Sequence, residues 1–226
     1  MYFYNQSMAI RCKTFRHSMF ILLCVGGILT LHLAAKDFIR PVAQPAKTYP
    51  AHDDHASEKV AIAADPYDTA EKSKIFTVDF REHGFLPVFF VVTNDSDQPV
   101  SMANLEIKLI TANRSKITPA VPDDIYRRLS NPQARTGPHP LPIPQKKVKG
   151  TISQKEMDAI SSSQFAAKAV EPHGTQSGFL YFDVEGINGP LVGAHIDVTG
   201  IDDAQGNELM YFEIPLERIA LPSGSQ

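Results

Sequence analysis

The chain has 226 residues with 22 Lys and Arg against 25 Asp and Glu, a formal net charge of −3, and 43% hydrophobic residues, enough for one sizeable core. That balance excludes the basic stripe of a nucleic-acid-binding surface, so no nucleic-acid partner is expected. Two cysteines, Cys12 and Cys24, exclude a disulfide-rich scaffold.

Arg11, Lys13 and Arg16 precede the apolar run MFILLCVGGILTL at 19–31. A spanning helix wants about 20 apolar residues and the apolar core of a signal roughly 7–15, so residues 1–35 read as a signal peptide or as a membrane anchor. Ala35 suits the last position of a cleaved signal, whereas Leu33 stands where a small residue is preferred. The three basic residues place the N-terminus inside in either case, and an uncleaved segment would hold the membrane through residues 19–35. Both cysteines fall here. Cys24 follows Ile21-Leu22-Leu23, which lacks the small residues that precede a lipid-modified cysteine. The expected location is therefore periplasmic or otherwise extracytoplasmic, anchored at the inner membrane or released near Ala35. The remaining residues carry 19 basic against 25 acidic side chains and no cysteine, so they hold neither a disulfide nor a thiolate metal site.

Residues 36–58 contain Pro41, Pro45 and Pro50 without apolar periodicity and predict a semi-extended tether. A domain then spans 59–217. Val60-Ala61-Ile62-Ala63 is a short strand ended by Asp65-Pro66, and 75–80 is a further candidate. Residues 86–93, LPVFFVVT, are apolar on both faces, the pattern of a central strand covered twice. Asn94-Asp95-Ser96-Asp97 ends it, because these side chains bond to nearby backbone. Leu105, Ile107 and Leu109 face in while Glu106 and Lys108 face out.

From 113 to 170 the pattern predicts an insertion that is rich in proline and partly helical. Pro119, Pro122, Pro132, Pro138, Pro140, Pro142 and Pro144 lack amide donors. Residues 123–129 allow a short helix, and Ile152, Met157, Ile160 and Phe165 fall loosely on one side of another. Strands return with Leu180, Phe182 and Val184 on one face. Val192, Ala194, Ile196 and Val198 follow the Asn188-Gly189-Pro190 turn. Met210, Phe212, Ile214 and Leu216 follow a turn at 202–207. Residues 218–226 read as a disordered tail. Short strands separated by turns predict a mainly β chain, a β-sandwich.

Residues 89–100, FFVVTNDSDQPV, and 170–175, VEPHGT, leading into 178–182, GFLYF, resemble the immunoglobulin-like domains of unknown function in exported bacterial envelope proteins. The resemblance covers 59–112 and 170–217 and implies an immunoglobulin-like β-sandwich. The paired cysteines and the tryptophan of the antibody type are absent. The family implies no catalytic residues, so none is carried over.

His52, Asp53, Asp54 and His55 form the one compact cluster of metal-capable side chains, against the alternative of a solvated linker. His83, beside Glu82, is a conceivable catalytic pair; His139, His173 and His195 are scattered, and His195 alternates outward. Asp202, Asp203, Asn207 and Glu208 suggest a hairpin turn sooner than a calcium loop, whose spacing they lack. Gly-x-Ser-x-Gly, His-Glu-x-x-His and phosphate-cradling loops do not occur. The motif PHPLPIP, with Pro138, Pro140, Pro142 and Pro144, fits a polyproline II rod that aromatic grooves grip, or a spacer. Tyr126, Tyr181 and Tyr211 are candidate surface aromatics for a carbohydrate. The sequence thus predicts a non-enzymatic envelope protein that binds a partner protein through a sheet edge or the insertion, with no cofactor. A small-ligand or carbohydrate-binding module is the alternative, and an enzyme comes third.

Overall fold

β3 (Phe85–Asn94) is buried along its whole length, and the architecture follows from how its two faces are covered. The computed structural model describes residues 38–130 and 152–216. The segment 1–35, the prolines of PHPLPIP and the tail 218–226 lie outside them. The other elements are β1 (His52–His55), β2 (Val60–Pro66), β4 (Val100–Ser101), β5 (Glu106–Ile110), β6 (Lys116–Ile117), β7 (Ala169–Val170), β8 (Gly174–Asp183), β9 (His195–Thr199) and β10 (Phe212–Pro215), with helices α1 (Pro122–Ser130) and α2 (Gln154–Ser163). The described chain is mainly β. One four-stranded sheet runs β1-β2-β3-β8, a second runs β10-β9-β5-β6, and β4 and β7 form a small ladder; all their pairings are antiparallel. Among the described residues no helix is long and apolar enough to cross a membrane.

Successive residues of a strand point to opposite faces. Leu86, Val88, Phe90 and Val92 therefore enter one core together with Ile107, Leu109, Ile196, Val198, Phe212 and Ile214 of the second sheet. Phe85, Phe89 and Val91 enter another, built with Phe76, Phe80, Ile125, Leu129, Ile160, Phe179 and Tyr181. The double-sided apolar pattern at 86–93 and the inward Ile107, Leu109, Ala194, Ile196 and Val198 are found as read, whereas Val192, expected on the same face, lies in the loop before β9 and is 65% exposed. Several other expectations change.

Residues 38–58 are not a free tether. Phe38 stacks on Phe76 at 5.8 Å, the Ala46 amide donates to Thr93 Oγ1 at 2.9 Å, and β1 pairs with β2 from His52↔Ala63 to His55↔Val60. The prolines of this segment precede the strand and never interrupt its ladder. Residues 75–80 form no strand: a 3-10 turn at Lys72–Ile75 leads into turns whose Phe76 and Phe80 anchor the second core. The stretch 113–170 is not set apart from the sheets, since it supplies β6, α1, α2 and β7. Its helices bring Ile125, Leu129 and Ile160 over the free face of the first sheet. α2 begins at a capping box in which Ser153 and Glu156 satisfy each other's backbone amides. Met210 is exposed, because β10 starts only at Phe212.

The outer edge of β8 is covered by chain rather than open. The Phe165 amide donates to Phe179 O at 3.0 Å and the Ala120 amide to Tyr181 O at 2.7 Å. Gly178 permits this approach, since a Cβ there would lie 2.4 Å from the Phe165 Cα. Tyr181 points away from the first core, as alternation requires, but into the second, where only 1% of it is exposed. Ser163 Oγ donates to Ile160 O at 2.7 Å, so the Tyr181 hydroxyl is the donor in its 2.9 Å bond to Ser163. Burial pushes the phenol pKa up, and the group stays neutral.

Removing the acceptor strands a buried donor, whereas removing the donor leaves Ser163 bonded to Ile160. Ser163→Ala is accordingly expected to cost about 1–3 kcal/mol and Tyr181→Phe about 0.5–1.5 kcal/mol. Urea denaturation of both variants checks the order; a larger loss in Tyr181→Phe would contradict the assigned direction of the bond.

Candidate functional site

β3 begins at Phe85 directly opposite the last residue of β8, Asp183, and a cleft of about 690 Å³ opens beyond this strand end. Its walls are the turn through Arg81, Glu82 and His83 and the loop from Val184 to Val192. The Val184 amide donates to Gly84 O at 2.8 Å and ties the two walls together. Gly84 has φ +76°, and a Cβ there would meet the Glu185 Cβ at 2.9 Å, so this junction requires glycine.

Arg128 of α1 forms the floor. Its side chain is 6% exposed, and its guanidinium donates to Glu185 Oε2 through Nη1 and to Asp183 Oδ2 through Nη2. The guanidinium carbon also lies 5.2 Å from the centroid of the Phe85 ring, a cation–π distance. A planar fork serves two carboxylates at once, which an ammonium group does less well. Helical spacing explains the placement: Ile125 and Leu129 are four apart on the buried stripe, and Arg128 flanks them. The cleft thus combines apolar Leu86, Leu191 and Val192 with charges of both signs from Asp68, Arg81, Glu82, Arg128 and Glu185. Such a mixture can bind a polar group and orient it, and glycine-jointed loops on a rigid sheet are the usual place for recognition.

The cluster at 52–55 does not converge on an ion. His52 and His55 stand three apart on β1, which sends their side chains to opposite faces. His52 Nδ1 bonds Tyr49 O at 2.6 Å. His55 sits between Glu58 at 2.8 Å and Asp53 at 3.4 Å, and stacks on Phe212 at 3.9 Å. Asp53 accepts from the Glu213 amide at 2.9 Å, and Asp54 pairs with Lys47 at 3.2 Å. Asp53 and His55 thus fasten β1 to the edge of β10, while His52 and Asp54 bond to the segment before β1. His173 pairs with Asp97 at 3.0 Å, while His139 and Pro138, Pro140, Pro142 and Pro144 lie outside the described residues. The turn at 202–207 is a turn: Asp203 accepts from the amides of Gln205 and Asn207, both at 2.8 Å. Its bonds to Asn207 hold its carboxyl below the usual carboxylate pKa. Tyr211 is 56% exposed and Tyr126 also reaches solvent, but buried Tyr181 offers no surface to a sugar.

Sequence reading passed over Arg128, Asp183 and Glu185. A basic residue beside the apolar stripe of a short helix was the available signal for Arg128; its partners lie 55 and 57 residues away. Compared with protein-family models, curated proteins and solved structures, the chain matches none.

Arg128→Lys is expected to lower stability by about 1–2 kcal/mol, less than for a fully buried pair because both carboxylates still reach water. Amide exchange in 184–192 should speed up with it, since the loop loses its anchor. Chemical denaturation and hydrogen exchange of the variant measure both; unchanged exchange there would remove Arg128 from this role.

Proposed function

We propose that this chain is a non-enzymatic binding module of the cell envelope, an immunoglobulin-like sandwich carried by its N-terminal segment outside the cytoplasm. It engages a protein partner through the loop end around the cleft. The export reading rests on the order of basic residues and apolar run in 11–31, and on the absence of cysteine from 36–226. The sandwich reading is supported by two antiparallel sheets whose facing residues share one core.

The single observation that carries the site is the cleft itself, with loop walls anchored on Arg128. The sheet edges are poorer candidates for strand addition. Segments at 120 and 165 cover β8, and β6 has two residues. Glu58 and Asp53 accept the amides of Met210 and Glu213 along β10. Short, covered and charge-capped edges resist pairing with another strand. The volume of the cleft, within the roughly 300–1,000 Å³ of small-molecule sites, favours a small polar ligand as the second reading.

Val192 is 65% exposed at the cleft rim, and Asn207 lies in the turn before β10. A photo-crosslinking residue is placed at each position in turn, in the full chain and in its native cells. One dominant protein adduct from 192 and none from 207 is the expected result. No adduct from 192, or the same adducts from both, would refute the proposed surface.

A further inference from the structure

We propose that His195, Asp197 and Glu213 bind a first-row divalent cation of the zinc type on the outer face of the β9–β10 pair. On these strands Ile196, Val198, Phe212 and Ile214 point into the core, so His195, Asp197 and Glu213 share the opposite face. Glu213 lies directly across from Asp197 in the ladder, and His195 is two residues along the same strand. One potential ligand atom from each falls within 4.8 Å of the others. The imidazole Nε2 is already 3.3 Å from Asp197 Oδ1.

The arrangement is unfavourable without a cation, because like charges directly opposite on neighbouring strands repel. Lys108 directly opposite on β5 and the His195 imidazole offset this repulsion in part at Asp197, and nothing of the kind reaches Glu213 among the described residues. Lys108, on the far side of Asp197 in the register, holds Glu106 at 2.8 Å. Among the described residues the Glu213 carboxylate has no hydrogen-bond or ion-pair partner. Its backbone amide is fixed by Asp53 at 2.9 Å, which holds this point of β10 in place. One imidazole nitrogen with two carboxylate oxygens suits zinc and its neighbours, whereas calcium and magnesium prefer oxygen alone. Three protein ligands on two paired strands leave coordination positions for water.

The test uses the full chain in detergent, stripped of metal by chelation and titrated with Zn²⁺ alone, with Co²⁺ absorption as a second readout. The account predicts one Zn²⁺ per chain, at least tenfold weaker in His195→Ala and in Glu213→Gln, and unaltered in His173→Ala. Zn²⁺ at a hundredfold excess over its Kd should raise the melting temperature by roughly 5–11 °C in the native chain and not in Glu213→Gln, an exposed and nearly isosteric change. Absence of saturable binding, or binding that survives both His195→Ala and Glu213→Gln, would overturn the proposal and leave a plain histidine–aspartate pair.

Discussion

The rest of the structure depends on the burial of β3 on both faces. A strand with apolar side chains on each side needs two covers, and burying each large side chain contributes about 1.5–3 kcal/mol. The second sheet supplies one cover. The other is assembled from pieces distant in sequence: the segment beginning at Phe38, the turns holding Phe76 and Phe80, and one stripe of each helix. Phe179 is the hub of this layer, with Phe76, Tyr67 and Phe89 rings 5.0, 5.0 and 5.2 Å away. Aromatic rings meeting edge-on or tilted add directional preference to burial.

That requirement shapes the molecule's surface. Because α1 must lay Ile125 and Leu129 on the first sheet, Arg128 comes to rest at the end of β3 beside Asp183 and Glu185. The cleft at the end of β3 is a consequence of how the second core is closed. At the other side, β1 joins β2 and brings Asp53, His55 and Glu58 against β10, so both sheets are fastened at one margin by hydrogen bonds and a stacked ring. The outer face of β9 and β10 carries the histidine and two carboxylates.

Local patterns announced the elements whose partners lie close or whose faces alternate cleanly. β3, β5 and the β9–turn–β10 hairpin were legible, and folding that hairpin about Gln205 already sets Glu213 opposite Asp197. What escaped was long-range cover. Ala46 and Ala51 are fully buried, yet alanines among prolines give no periodic signal. Tyr181 was rightly placed off the first core, but a sequence does not display a second layer that would bury it. The charged cleft was hidden for the same reason, since Arg128 and its carboxylates meet only through tertiary packing.

Native-state hydrogen exchange across residues 38–55 tests the central claim most directly, for this stretch is either part of the second cover or a tether. The account predicts that the Ala46 amide, bonded to Thr93, and the β1 amides paired with β2 exchange slowly, in step with β3. Exchange throughout 38–55 at free-chain rates, with β3 still protected, would contradict it.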